Sequence, residues 1–166
     1  MILAGFGISV TVPRGWDARI NRRPEAAVAS PYGEASPGTP VPQSGWTTPV
    51  VHLANFALPE QRGDYGSGAV NLMKGSNVFI ALVEFGPESV GAAMFRGTGM
   101  PRFRANEISA QAMQRPIAGM GGAQRFFTAS GRPFCCYAVV GSLAAKSVLV
   151  SSINEALVGI SADPLG

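Results

Sequence analysis

Residues 123–160 constrain the fold more than any other stretch. Gln124–Ala129 is rich in aromatic and β-compatible residues, Ser130-Gly131-Arg132 supplies a turn, and Phe134–Val140 (FCCYAVV) is apolar throughout. An antiparallel hairpin with a central second strand is expected. After Gly141 the apolar period lengthens from two to about 3.6, with Leu149, Ile153, Ala156, Leu157 and Ile160 on one stripe. Lys146, Ser147, Ser151, Asn154 and Glu155 fall elsewhere, and Ser142 stands where an N-cap is expected. Strands that are apolar on both sides need cover on both faces, and this helix supplies one layer.

The preceding chain reads as further strands joined by long connections. Gly7–Val12 alternates, with Ile8, Val10 and Val12 on one side and Ser9 and Thr11 on the other. Pro13-Arg14-Gly15 makes a turn and Trp16–Arg22 returns as a second strand, with Trp16 anchoring this hairpin to the core. Six prolines between Arg23 and Pro49 exclude a regular helix or central strand there. Val50–Leu58 is the next strand, ended by Pro59, and Asn77–Phe85 (NVFIALVEF) has the apolar continuity of a central one. Short helices are expected at Ala69–Lys74 and from Pro87 through Phe95, and 97–122 reads as irregular. The expected fold is α+β: a central, mainly antiparallel sheet of about six strands with helices on its faces. It forms one domain over 1–166, with long Pro/Gly-rich loops and a Pro/Gly-rich insertion at about 23–49.

Composition narrows the functional classes. Only 14% of residues are charged, against roughly 25% in an average domain, so much of the surface is neutral and open to a partner interface. The net charge of +3 is diffuse, and lysine occurs only at Lys74 and Lys146, which argues against nucleic acid. The opening residues lack a basic leader region, and no window approaches about 18 uninterrupted apolar residues. A soluble, cytoplasmic chain without membrane association is expected. Cys135 and Cys136 are adjacent on a strand, point to opposite faces and lack metal-site spacing, so they read as buried small hydrophobes.

Catalytic constellations are scarce. His52 is the only histidine, so any serine or cysteine nucleophile would have to use it, and a lone imidazole on an apolar face is more often structural. Gly66-Ser67-Gly68 lacks the spacing of a nucleophile elbow, a phosphate loop or a dinucleotide fingerprint. Asp17, Glu60, Asp64, Glu84, Glu88 and Glu107 are not paired by spacing. Glu84 is the most unusual of them because it ends an apolar strand, where an Arg partner is the common arrangement.

The remaining signal is in loops. Arg96, Arg102, Arg104 and Arg115, with Phe103, Met113 and Met120 among them, concentrate positive charge and exposed apolar groups, and Trp46 stands in the Pro-rich stretch. The leading expectation is a noncatalytic interaction or assembly domain that docks a protein through Trp46, Arg96, Arg102, Arg104 and Arg115, with no cofactor or metal. Two alternatives stand beside it: a small-molecule binder or hydrolase with a pocket near His52 and Glu84, and a subunit of a homo-oligomer.

The run Gly7-Ile8-Ser9-Val10-Thr11-Val12-Pro13-Arg14-Gly15-Trp16 resembles the opening hairpin of the PsbP/Mog-like fold group, which contains the photosystem extrinsic protein PsbP and a Ran-binding nuclear import factor. The resemblance covers about ten residues of a permissive pattern, and it implies an antiparallel sheet with helices on both faces. Members of that group mostly act by binding or assembly without a shared active site, so it carries no functional residue to this chain. The Pro/Gly-rich segment after the first hairpin is a departure from the group.

Overall fold

Alternation and apolar continuity translate into two antiparallel sheets. The computed structural model describes residues 1–22 and 48–165, so Trp46 and nearly all of the 23–49 insertion lie outside the described residues. The smaller sheet has the order β1 (Ile2–Gly5), β2 (Ile8–Thr11), β8 (Ile160–Ala162). The larger runs β3 (Asp17–Arg22), β4 (Pro49–Ala54), β5 (Val78–Glu84), β7 (Arg132–Val140), β6 (Gly121–Ala129). Two α-helices accompany them, α1 (Ser67–Val70) and α2 (Lys146–Val158).

Strands β5 and β7 are buried at every position, as their unbroken apolar runs require of the centre of a sheet covered on both faces. One face sends Val51, Leu53, Ile80, Leu82 and Ala138 against Leu149, Ile153, Ala156 and Leu157 of α2 and against Ile8, Val10 and Ile160 of the smaller sheet. The other sends Val50, Phe79, Val83, Tyr137 and Val139 against Ala69 and Val70 of α1 and Met113 and Met120 of a loop. One cover is therefore helix plus second sheet, and the other is mostly irregular chain.

This differs from the expected single sheet of about six strands with helices on both faces. The α+β character and antiparallel pairing hold, but the strands divide between two sheets. Strands β2 and β3 do not form a hairpin: both edges of β2 are occupied, by β1 and β8, and β3 pairs with β4. Pro13–Gly15 instead carries the chain from one sheet to the other, held by a Trp16 N–H bond to the Pro13 carbonyl. Trp16 is half-buried against the core, in keeping with an anchoring role. Strand β1 exists because Phe6 and Gly7, with φ of 53° and 72°, make a two-residue turn whose positive φ values match the twist of a tight hairpin.

The 123–160 reading is closer. Strands β6 and β7 pair in full register around Ser130 and Gly131, with φ of 52° and 74°, and Arg132 begins β7 rather than completing the turn. Helix α2 starts later than expected: Ala145, not Ser142, precedes it, and no side chain caps it. Its stripe is buried as expected up to Leu157, but Ile160 belongs to β8 and Asn154 is buried. Residues 87–95 form two isolated 3₁₀ turns, Pro87–Ser89 and Ala93–Phe95, separated by Gly91 at φ +83°. The following chain lies along the outer edge of β6, bridged at Thr98–Thr128 and Ser109–Gly122, which occupies backbone groups that would otherwise template another strand.

Arg132 ties the two sheets together. Arg132 is 1% exposed and donates Nε–H and Nη2–H to the Glu84 carboxylate at 2.9 and 2.7 Å. Its remaining donors reach the carbonyls of Gly7, Asp163 and Phe6, each at 3.0 Å. All five guanidinium N–H groups are thus used, two across the larger sheet and three on the smaller. Gly7 has no alternative here, since a Cβ would stand 2.9 Å from Arg132 Nη1.

Candidate functional site

His52, on β4, is 4% exposed. Its Nε2–H donates to the Asp64 carbonyl at 2.8 Å, and its Nδ1 accepts from Arg62 Nε at 2.9 Å. A carbonyl can only accept and a guanidinium only donate, so these partners select the neutral Nε2–H tautomer. The pKa is lowered to about 4, first by burial; the Asp64 carbonyl opposes this shift and the Arg62 charge adds to it. Arg62 is itself tied to the Pro59 carbonyl and to Asn21 Oδ1, so the ring is held from both sides. A cleft of about 380 Å³ opens beside it, lined also by Arg19, Asn21, Arg22 and Glu60. With both ring nitrogens occupied, His52 has no lone pair for a nucleophile's proton in this arrangement.

Glu84 does not share that cleft. It is 3% exposed and bound to Arg132, the partner expected from its position at the end of an apolar strand. The cleft beside His52 therefore does not extend to Glu84, and the two residues do not share one pocket. Cys135 and Cys136 are buried thiols on opposite faces of β7. Burial pushes Cys135 up to about 12, opposed by its bond with Tyr65, and pushes Cys136 up as well. Among the described residues no group of three or more His, Cys, Asp or Glu is placed to hold a metal ion. No helix among them is long and apolar enough to cross a membrane.

The arginine-bearing loop differs from its sequence reading in one respect. Phe103, Met113 and Met120 are buried at 2%, 6% and 5% exposure, so the apolar groups between the arginines belong to the core. Arg96, Arg102, Arg104 and Arg115 are all exposed. They are spread over the loop: Arg96 bonds the Ala93 carbonyl, Arg115 bonds Asn71 Oδ1 beyond α1, and no hydrogen bond among the described residues joins two of them. Arg102 and Arg104 are the exception to this dispersal, because they flank Phe103. Asn154 of α2 accepts from Phe103 N–H at 2.8 Å and donates to its carbonyl at 2.9 Å, fixing the backbone between them. Glu107 completes the turn by accepting from Arg104 N–H and pairing with Arg125, whose hydrogen bond first of all draws the Glu107 pKa down. Asn154 was not legible as a site residue, since at the sequence level it falls off the apolar stripe.

A second cleft, of about 290 Å³, lies between residues 63–71 and 114–117. Tyr137 of β7 forms its base, and its hydroxyl oxygen accepts from Gln114 N–H at 2.9 Å. Tyr65 stands edge-on to it, with ring centroids 5.9 Å apart. Val70 and Ile117 add apolar wall, and Arg115 and Asp64 bring one charge of each sign.

No protein-family model matches the chain, and neither a curated protein nor a solved structure does.

Proposed function

We propose that this chain is a noncatalytic interaction domain that docks an acidic segment of a protein partner through the loop between residues 96 and 107. The observation that carries the reading is the Asn154 clamp on Phe103. An irregular loop ordinarily has to be immobilised on binding, at a cost in entropy, whereas this one presents Arg102 and Arg104 from a backbone already fixed to α2. Arginine suits the role because its planar fork takes carboxylates in pairs. Val90 and Met94, 53% and 55% exposed, lie on the stretch leading into Arg96 and supply apolar contact area. Arg115 and Trp46 are further contacts in this proposal. The resemblance of residues 7–16 to the PsbP/Mog-like group points the same way, because those proteins act mainly by binding. We place the chain in that group as part of the proposal.

Affinity capture from native lysate with the wild-type chain and with Arg102→Glu/Arg104→Glu tests this. The double variant is expected to keep its melting temperature within a few degrees and to lose a specific acidic partner, since both substitutions are on the surface. Equal capture by the two proteins removes this loop as the docking site.

A further inference from the structure

The cleft over Tyr137 has the composition of a small-molecule site. Its volume of about 290 Å³ falls just under the range of about 300–1,000 Å³ that ligand pockets occupy, which suits a small ligand. Its walls are apolar and aromatic, and its polar groups are few and differ in role. Tyr137 is 1% exposed, and its hydroxyl oxygen already accepts the Gln114 N–H, so a further bond from this phenol is made by its own proton. Arg115 is exposed and spends one Nη2–H on Asn71, the residue across the cleft, leaving its other guanidinium donors toward solvent. This Arg115–Asn71 bond joins the two lips. Arg115 is the one cationic side chain lining the cleft among the described residues, which suits a ligand with a single negative charge more than a polyanion such as a phosphate ester.

We infer that this cleft binds a small monocarboxylate with a compact apolar body. The body packs on Tyr137, Tyr65, Val70 and Ile117, and the carboxylate takes Arg115 in place of the Asn71 amide oxygen. A carboxylate is a stronger acceptor for a guanidinium than an amide oxygen, so the exchange is favourable even though the Arg115–Asn71 bond is given up. The site lies outside the loop that carries Arg102 and Arg104 and shares only Arg115 with the proposed docking surface.

Benzoate and hexanoate are the probes, with benzyl alcohol as the uncharged control, titrated into the full chain and followed by amide chemical shifts. Ligands of this size are expected to bind in the millimolar range. Saturable shifts should centre on residues 64–71 and 114–117, with benzyl alcohol at least about tenfold weaker than benzoate, a difference of about 1.4 kcal/mol. Arg115→Met, a surface change expected to fold normally, should erase that difference by weakening benzoate and hexanoate while leaving benzyl alcohol unchanged. Ile117→Trp should block all three compounds by filling the cleft. The inference is overturned if neither carboxylate gives saturable shifts at these residues, if the shifts lie elsewhere, or if Arg115→Met binds benzoate as well as wild type does.

Discussion

Arg132 begins β7 and Glu84 ends β5, and they pair diagonally across the two strands, since Glu84 lies opposite Phe134, two residues along from Arg132. The pair is buried, and its guanidinium also satisfies three carbonyls of the smaller sheet. Removing one partner of a buried ion pair is far costlier than the pair's net contribution, because the survivor is left charged in a poorly solvated place. Arg132→Met should therefore cost about 3–5 kcal/mol, and Arg132→Lys should not restore it, since an ammonium cannot reach five acceptors in a plane. The double variant Glu84→Leu/Arg132→Met should be less destabilised than Arg132→Met alone, because it eliminates the stranded carboxylate. Urea denaturation of the three variants checks the order; a double variant weaker than Arg132→Met contradicts the clamp.

His52 makes stability depend on pH. Its folded pKa, about 4, lies below the value of 6.5 for a free imidazole, so between these values the unfolded chain holds more protons than the folded one. The stabilisation is complete above pH 6.5 and is lost as pH falls toward 4, by roughly 3 kcal/mol over that window. Protonating Nδ1 would remove the Arg62 bond and set two cations together. Urea midpoints measured from pH 7 to pH 4 should fall more steeply for wild type than for His52→Gln. Parallel slopes would show that other groups carry the acid sensitivity.

Two glycines with similar backbone angles should respond very differently to alanine. Gly66 has φ +74°, and a Cβ there would lie 2.0 Å from Cζ of Phe79, a side chain with no exposed surface. Gly99 has φ +81° with nothing within 4 Å. Gly99→Ala should cost about 1–2 kcal/mol, the left-handed penalty alone, while Gly66→Ala adds about 1–3 kcal/mol for displacing the Phe79 ring. Thermal melts of both variants suffice, and equal losses would rule out the close packing of the 63–68 loop on Phe79.

Much of the larger sheet was legible because its signals are local. Continuous apolar runs marked β5 and β7, Ser130-Gly131 marked the β6–β7 hairpin turn, and the 3.6-residue stripe marked α2. The split into two sheets was not legible, since it depends on β2 choosing β8 over its sequence neighbour β3, a pairing between distant segments that alternation cannot encode. Buried polar residues were the other blind spot. Asn154 looked like solvent-facing helix surface until its partner, the Phe103 backbone, was in place. Arg132 looked like a turn residue, though an Arg at the head of one apolar strand and a Glu at the foot of another was a usable hint. His52 is hydrogen-bonded at both nitrogens and Glu84 has an Arg partner, the commoner arrangements for lone polar groups on apolar strands. The cleft over Tyr137 had no signature, since its lining comes from three separated segments.

The position of β2 between β1 and β8 has a consequence for biosynthesis. A nascent chain can assemble the β5–β7–β6 unit as soon as Val140 has left the ribosome, but the smaller sheet must wait for residues 160–162. Until Asp163 follows, Arg132 has a vacant donor, and the backbone edge of β2 that β8 will pair with stays open. A stalled translation product ending before residue 160 is therefore the form of this protein most in need of a chaperone.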